Sequence, residues 1–365
     1  MKSRSLIILA IVTVVAILAA VFADKNRSTD ISSGKEHVFP QLSTQINDVH
    51  NLSLEKYGQS LSLVKLDNTW VIKEADNYPA NFGKIKESVI AVSKLMILSN
   101  KTSNPDLYGR LGVEDPASEK SNSLLMSLGD AEGNVLATLI VGSIRHSKSA
   151  DSQPGLYVRF PDSDTALLAE GRLQLSADIR DWFNRNLMDI DGARISSIVI
   201  ERADAPVVSL HREKDTDDFS LDNIPEDKEI QSAVIITRMS TMLESLAAEG
   251  VRSSSSVSDY IVSTTRLSTF DGLQISISNA IVDGSSYASF SFSADDSETV
   301  DAGSEDTGEM DGQASVSEEA AMLNKVHSGW AYQIPDYKFE LFDESLDDLV
   351  RSHSADDKEE VAAPE

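Results

Sequence analysis

The stretch Arg266–Ser278 reads RLSTFDGLQISIS and indicates the fold class of the chain. Apolar and polar residues alternate on both sides of Asp271-Gly272, which is the period of a half-buried β-strand. An Asp-Gly pair between two alternating runs is a strong signal for an antiparallel hairpin. The stretch therefore predicts antiparallel sheet with one apolar face and one polar face.

The same alternation occurs twice along the chain. Asn47–Lys56 reads NDVHNLSLEK and Ala193–Arg202 reads ARISSIVIER, so that Leu54 corresponds to Ile200 at an offset of 146 residues. Each segment is followed by further alternating runs, a helical pattern and more strands, in the same order. The sequence predicts an α+β fold made by tandem duplication of a mainly antiparallel sheet module with helices on one face.

Helical patterns are predicted at matching places in the two halves. Apolar residues at helical spacing indicate one helix in each half, and amphipathic patterns at Asp178–Ile190 and Asp343–His353 predict a helix at the end of each. The apolar stripes are Ile85, Val89, Val92 and Met96 in the first half, and Ile235, Met239, Met242 and Leu246 in the second. Stripes of this kind are typical of core-facing helices.

Leu6–Phe22, which reads LIILAIVTVVAILAAVF, contains no charged residue and follows Lys2 and Arg4. Its length nearly matches a hydrocarbon layer of about 30 Å. We expect an uncleaved transmembrane signal anchor, with Leu6, Ile11, Val15, Leu18 and Phe22 in the bilayer. The alternative is a cleaved signal peptide, because Val21-Phe22-Ala23 is an acceptable cleavage site. Both interpretations place Asp24–Glu365 outside the cytoplasm.

An acidic segment interrupts the second half. Residues 294–320 contain ten Asp or Glu and no Lys or Arg. Low hydrophobicity with one sign of charge predicts disorder. The predicted organisation is an anchor at 1–23, a tether at 24–45, a first module at 46–190, a second module at 191–353 with the disordered insertion 294–320, and a flexible tail at 354–365.

Composition and motifs argue against several function classes. The net charge is −27, which disfavours nucleic acid as a partner, and the absence of cysteine excludes thiol chemistry. No metal-binding histidine pair, nucleophile elbow, phosphate-binding loop or dinucleotide-binding motif occurs. The 59 acidic residues make pairs of neighbouring carboxylates uninformative. The sequence predicts a protein without cofactor or metal that is not an enzyme.

Lys101–Ala117 reads KTSNPDLYGRLGVEDPA and lies between the first helix and a hairpin. Leu107, Tyr108 and Leu111 fall at helical spacing, and Gly112 is placed to end that turn. The first interpretation is a structured crossover whose apolar side chains enter the core. The second is a docking surface formed by these residues together with Tyr78 and Phe82.

Residues Phe39–Ile190 resemble the bacterial domain-of-unknown-function family numbered 4340. The resemblance rests on FPQL (Phe39–Leu42), TWVI (Thr69–Ile72), YPANFGKIKESV (Tyr78–Val89), KTSNPDLYGRLGVEDP (Lys101–Pro116), LIVG (Leu139–Gly142) and DWFNRNLMDI (Asp181–Ile190). The second half matches more loosely. The resemblance implies a membrane-tethered envelope protein, often encoded beside an ABC-type transport system of the gliding-motility auxiliary kind.

These observations favour a non-enzymatic extracytoplasmic accessory subunit of an inner-membrane complex, with an ABC-type transport system as the expected partner. The alternative is a binding module that takes a periplasmic small molecule or envelope polymer in a cleft between the modules. A third class, a hydrolase, requires convergent titratable residues such as His211 beside a buried carboxylate.

The anchor hypothesis makes a prediction about mass. Because the apolar span is long for a signal peptide, the protein isolated from membranes is expected to retain residues 1–23. Intact-mass spectrometry measures this directly. A mass that corresponds to a chain beginning at Asp24 contradicts the anchor and supports cleavage.

Overall fold

The computed structural model describes residues 36–145, 154–203, 205–215, 217–295 and 315–352. The predicted anchor and tail lie outside these residues, as does most of the acidic segment. No helix among the described residues has the length and apolar character needed to cross a membrane. The chain divides into two compact units. The first contains Met1–Val64 and Phe82–Ala177, and the second contains Lys65–Asn81 and Asp178–Glu365.

The described part is α+β, with many strands and few helices. The strands are β1 (Glu36–His37), β2 (Asn51–Lys56), β3 (Gln59–Leu66), β4 (Thr69–Ile72), β5 (Tyr78–Pro79), β6 (Met96–Thr102), β7 (Leu124–Gly129), β8 (Val135–Arg145), β9 (Gly155–Arg159), β10 (Ala166–Glu170), β11 (Asn186–Met188), β12 (Ile195–Arg202), β13 (Val208–His211), β14 (Ser220–Leu221), β15 (Lys228–Ile230), β16 (Leu246–Ala247), β17 (Gly250–Ser253), β18 (Ile261–Thr269), β19 (Leu273–Val282), β20 (Ser285–Ala294), β21 (Trp330–Gln333) and β22 (Val350–Ser352). The α-helices are α1 (Phe82–Ser93), α2 (Ala233–Ser240), α3 (Val316–His327), α4 (Asp336–Phe342) and α5 (Leu346–Leu349).

The first unit contains one antiparallel sheet. Its strands follow the order β1-β6-β10-β9-β8-β7-β2-β3, and every neighbouring pair in this series is antiparallel. Alternation assigns the faces. In β2, Leu52 and Leu54 are fully buried while Ser53 and Glu55 point outward. Helix α1 buries Ile85, as the stripe predicts.

The second unit contains an eight-stranded sheet in the order β14-β13-β12-β18-β19-β20-β21-β17, again with antiparallel neighbours. The predicted hairpin at Asp271-Gly272 is confirmed as the link between β18 and β19. A two-residue turn, Asp283-Gly284, has φ angles of 51° and 76° and joins β19 to β20. Positive φ at both positions is typical of a type I′ hairpin turn.

Helices α3 and α4 pack on the apolar side of this sheet. The ring of His327 in α3 contacts Phe290 and Phe292 of β20. At the end of α4, the carbonyl oxygen of Phe342 accepts a hydrogen bond from Asn279 Nδ2 at 3.1 Å. The helices therefore cover the buried side of the sheet and leave its opposite side outward.

An arginine fixes the beginning of the second sheet. The Arg212 guanidinium lies over Phe219 and Phe270, 4.5 and 5.7 Å from their ring centroids. Its nitrogens donate to the carbonyl oxygens of Ile195, at 2.8 Å, and Gly192, at 2.6 Å. Burial lowers the pKa of Arg212 from its usual value. The group thus ties the turn before β12 to β13.

Two predicted terminal helices are wrong. Asp178–Ile190 forms a short 3-10 helix, Ile179–Asp181, followed by β11. Trp182, Phe183, Leu187 and Met188 are all buried. Leu187 and Met188 are adjacent in β11, where successive side chains point to opposite sides, so both sides of this short strand are covered.

The predicted helix Asp343–His353 is also replaced. The segment contains only the four-residue α5 and then β22, which pairs with β15. His353 lies outside the described residues. The helix in this part of the chain is α4, which begins directly after Pro335, a residue favoured at helix starts.

Both helical stripes end earlier than predicted. Helix α1 ends at Ser93, and Met96 is the first residue of β6. In the second unit Met242 lies in a 3-10 helix and Leu246 lies in β16. Met242 and Leu246 are fully buried although neither lies in the α-helix, so the spacing of apolar residues alone could not locate the helix end.

The predicted tether and insertion are partly ordered. Glu36–His37 pair with β6, and Val38 and Leu42 are buried, so the tether prediction is wrong from residue 36 onward. Ser315 caps α3 through a capping box with Glu318, so the disorder prediction is wrong for the last six residues of the insertion. The two side chains of the capping box accept hydrogen bonds from backbone amides that have no partner within the helix.

The compact units also differ from the predicted modules. Lys65–Asn81 belongs to the second unit, whereas the sequence placed it in the first module. The change of unit near Ala177 precedes the predicted boundary at residue 190.

The assignment of strand faces predicts a contrast between adjacent residues. Leu54→Ala is expected to reduce the free energy of unfolding by about 2–5 kcal/mol, because it leaves a cavity at a fully buried position. Ser53→Ala on the same strand points outward and is expected to change stability by less than about 0.5 kcal/mol. Urea unfolding followed by circular dichroism measures both. Equal losses contradict the assigned register.

Candidate interaction surfaces

The outward side of the second sheet has an unusual composition. In β19, Ile275 and Ile277 are buried while Ser276 and Ser278 are partly exposed. The register continues this alternation across four strands. We call these outward positions the hydroxyl face: Ser197, Val199, Glu201, Thr264, Arg266, Ser268, Gln274, Ser276, Ser278, Ser289, Ser291 and Ser293.

The hydroxyl face consists mainly of short side chains and carries no net charge. Seven of its twelve residues are serine, whose side chain ends one atom beyond Cβ. Its two charged residues, Arg266 and Glu201, form an ion pair with each other. Ser268 donates a hydrogen bond to Gln274 Oε1 at 2.8 Å. An approaching surface could therefore come near the backbone without displacing long charged side chains.

The first unit has a smaller surface of the same kind. The register aligns Ser62, Ser53, Ser127 and Thr138 in one row across β3, β2, β7 and β8. The hydroxyl oxygens of Ser127 and Thr138 lie 2.7 Å apart and form a hydrogen bond.

The segment Lys101–Ala117 forms a structured crossover on the first unit. Pro105–Arg110 is a 3-10 helix, and Asn104 caps it by accepting a hydrogen bond from the amide of Asp106 at 3.1 Å. Tyr108 is buried, and its hydroxyl donates to the carbonyl oxygen of Asp164. This is the arrangement that the first interpretation predicts.

Arg159 completes this crossover. Its guanidinium lies 4.8 Å from the Tyr108 ring centroid, and its Nε donates to the carbonyl oxygen of Val113 at 3.0 Å. Only 9% of Arg159 is exposed. An arginine held by an aromatic face and backbone carbonyls is a structural clamp, because those contacts use the groups that would otherwise bind a ligand.

Two glycines permit the crossover to touch the sheet. Gly112 has a φ of +66°, as predicted for a residue that ends the turn. A Cβ placed on Gly142 of β8 would lie 2.5 Å from the carbonyl oxygen of Leu111. Any side chain at position 142 would therefore push the crossover away from the sheet.

The predicted docking residues differ in exposure. Tyr78 and Tyr108 are buried, at 8% and 7% exposure, and Leu111 packs against the Tyr108 cluster. Phe82 and Leu107 remain accessible, at 58% and 37%. The buried members serve packing within their own units. The predicted anchor residues Leu6, Ile11, Val15, Leu18 and Phe22 lie outside the described residues.

Tyr78 belongs to an aromatic cluster inside the second unit. Its ring contacts Phe183, Trp330 and Tyr332 in edge-to-face geometry, at centroid distances of 5.7, 4.8 and 6.1 Å. The Tyr332 hydroxyl lies 3.1 Å from Nδ1 of His327 and 3.5 Å from the Tyr78 hydroxyl. The cluster forms a short buried chain of polar groups within aromatic walls.

The polar groups of this cluster are held neutral. Burial lowers the pKa of His327, and burial raises the pKa of both Tyr332 and Tyr78. Only 2% of His327 is exposed. In the neutral imidazole, an unprotonated Nδ1 accepts a hydrogen bond from the Tyr332 hydroxyl group. The protonated imidazole cannot accept this hydrogen bond.

The described residues offer little for metal or nucleophilic chemistry. No group of three His, Asp or Glu residues within them is arranged to hold a metal ion. His211 is exposed, and its Nδ1 lies 3.3 Å from Asp222, which is also exposed. The buried carboxylate that the hydrolase hypothesis requires is therefore not the partner of His211.

Sequence analysis missed the hydroxyl face. The alternating serines of LQISIS and YASFSFS predict strands, but the period of each strand alone does not show that serines on neighbouring strands align in one face. The available signal was the regular recurrence of the smallest hydroxyl residue on adjacent strands.

Comparison with known proteins gives one result. A family model described as domain of unknown function (DUF4340) matches residues 70–264, which is more than half of the chain. This match starts later than the resemblance over Phe39–Ile190 and continues into the second predicted module. Among curated proteins, none matches the chain.

Burial of His327 predicts a pH dependence. Its pKa in the folded protein is below the ordinary value of 6.5, so the unfolded chain binds the proton first. Stability contributed by the neutral histidine is present above pH 6.5 and is lost as pH falls from 6.5 toward the folded-state pKa. The loss can reach about 1.4 kcal/mol at one pH unit below 6.5.

Thermal unfolding between pH 7.5 and 5.5 measures this effect. His327→Phe is expected to flatten the slope relative to the native protein. Tyr332→Phe keeps the buried histidine, whose pKa is lowered mainly by burial, and is expected to keep most of the slope. It is expected to lower stability above pH 6.5, because the neutral Nδ1 loses its donor. An unchanged slope in His327→Phe contradicts the assignment.

Proposed function

The chain belongs to the DUF4340 family, and on that basis we propose that it is a non-enzymatic, membrane-tethered extracytoplasmic subunit whose hydroxyl face binds a membrane-protein partner. The proposed partner is an ABC-type transport system, as the family resemblance implies. The proposed location is the periplasmic side of a bacterial inner membrane.

The hydroxyl face is the observation that carries this proposal. The whole chain has a net charge of −27, which repels other acidic surfaces at long range. The face itself is neutral, because Arg266 and Glu201 pair with each other. Removing a hydroxyl group from water costs much less than removing a charge, and a partner's hydrogen bonds can offset that cost. This combination suits a docking surface.

A short connection to the bilayer also supports the proposal. Thirteen residues separate Phe22, the last residue of the predicted anchor, from Glu36, the first residue of β1. Thirteen residues span at most about 45 Å when fully extended. A tether of this length keeps the first unit near the membrane surface, within reach of a membrane protein.

The tandem duplication is part of the proposal and remains a prediction. It rests on the offset of 146 residues that aligns Leu54 with Ile200. Each unit has an antiparallel sheet with serines on its outward side. A duplicated module would offer two related surfaces to one partner.

Site-specific photocrosslinking in intact cells tests this function. A photoreactive residue at position 276 lies in the middle of the hydroxyl face, and one at position 234 is the matched control on α2, where Val234 is 70% exposed. We expect a crosslink from position 276 to a subunit of an ABC-type transport system and none from position 234. Absence of a membrane-protein adduct at position 276 contradicts the proposal.

A substitution provides an independent test. Ser276→Arg adds a long cation to the face without altering the core, and it is expected to reduce co-purification of the partner about tenfold or more. Val234→Arg adds the same group elsewhere and is expected to leave co-purification unchanged. Equal recovery from both variants contradicts the assignment of the face. Thermal unfolding checks that both variants remain folded.

A further inference from the structure

A cleft in the first unit has a different chemistry from the hydroxyl face. It lies at one end of β8, β9 and β10 and has a volume of about 290 Å³. Register places Ile144 opposite Leu156, and the amide of Gly171 donates to the carbonyl oxygen of Pro154 at 3.3 Å. Three adjacent strand ends thus form its walls, so the cleft is built from the sheet itself.

The floor of the cleft is apolar. Leu156 and Leu173 are buried, at 3% and 8% exposure, and Pro154 completes the surface. Ile144 lies at the rim and is 51% exposed. Covering the exposed half of Ile144 with an apolar group would remove apolar surface from water, which is energetically favourable.

Two arginines flank this floor. Arg145 ends β8 and Arg172 follows β10. A Cβ at Gly155 would lie 3.7 Å from Nε of Arg145, so the guanidinium extends over the glycine backbone. Arg145 is the last residue of β8, and Arg172 lies two residues after the end of β10. Strand β9 lies between these two strands, and both arginines line the cleft.

Neither arginine is neutralised within the described part of the chain. Arg180, Arg194, Arg202, Arg266 and Arg351 each form an ion pair with a carboxylate. For Arg145 and Arg172 no carboxylate of the described residues lies within ion-pair distance.

We infer that this cleft binds an anionic amphiphile with a single alkyl chain, such as a fatty-acid carboxylate or an alkyl phosphate. The planar guanidinium donates paired hydrogen bonds that match carboxylate and phosphate oxygens. The alkyl chain covers Leu156, Leu173 and the exposed part of Ile144. Binding would bring an alkyl chain to the apolar concavity and an anionic group to two cations that have no ion pair among the described residues.

The size of the cleft restricts the ligand further. Its volume of about 290 Å³ lies just below the range for small-molecule sites, about 300–1,000 Å³. One short alkyl chain fits this space, whereas a phospholipid with two long chains does not. The inference is independent of the partner proposed for the hydroxyl face, since that surface lies in the second unit.

Photolabelling of the full-length protein in zwitterionic nanodiscs tests this inference. The probe is a decanoate that carries a photoreactive diazirine, and labelled peptides are mapped by mass spectrometry. We expect labelling in the segments that contain Ile144, Leu156 and Leu173. Octyl phosphate and octanoate are expected to compete, and octanol is not. Competition by inorganic phosphate as strong as that by octyl phosphate would overturn the inference, because the alkyl chain would then contribute nothing.

Arginine variants give the second arm. The double variant Arg145→Gln, Arg172→Gln is expected to reduce labelling in these segments about tenfold, because two charge-assisted contacts are lost. Arg110→Gln changes an exposed arginine of the same unit outside the cleft and is expected to keep full labelling. Labelling that the double variant does not reduce would overturn the inference. Unchanged thermal unfolding establishes that the reduction comes from lost binding.

Discussion

Antiparallel pairing of β18 with β19 is the constraint on which the second unit depends. The turn at Asp271-Gly272 fixes the register, so that Thr265 pairs with Ile277 and Arg266 with Ser276. A shift by one residue would turn every buried isoleucine toward solvent and every serine toward the core. The apolar core under α3 and α4 and the hydroxyl face on the opposite side therefore have one common cause.

Arginines fix the loops that these sheets carry. Arg212 joins the turn before β12 to β13, and Arg159 holds the crossover after α1. Both use backbone carbonyls and aromatic rings in place of carboxylates. Contacts with backbone carbonyls and rings hold each guanidinium group at a defined position. In a strongly acidic chain, this position then does not depend on which of the many carboxylates lies nearby. Arg145 and Arg172 differ from these clamps, since the described residues leave their guanidinium groups without such partners.

Strands could be predicted from the sequence, and helix ends could not. The alternation in LQISIS and YASFSFS identifies β19 and β20 because a half-buried strand leaves a period of two. The pattern of Asp178–Ile190 predicts a helix because its apolar residues fall near one side of a helical wheel. In the structure Trp182, Phe183, Leu187 and Met188 are buried from a short 3-10 helix and a strand instead. The hydroxyl face could have been found from its serines. The cleft could not, because Ile144, Leu156 and Leu173 come together only through the pairing of β8, β9 and β10.

The division of the chain has a consequence for its biosynthesis. Lys65–Asn81 leaves the ribosome between two parts of the first unit but belongs to the second. Its Tyr78 must wait for Tyr332, which is 254 residues later. At a synthesis rate of about 5–20 residues per second, the delay is roughly 13 to 50 seconds. During this interval Tyr78 lacks the rings of Trp330 and Tyr332, so the segment that contains it stays incompletely packed until the end of the second unit has been made.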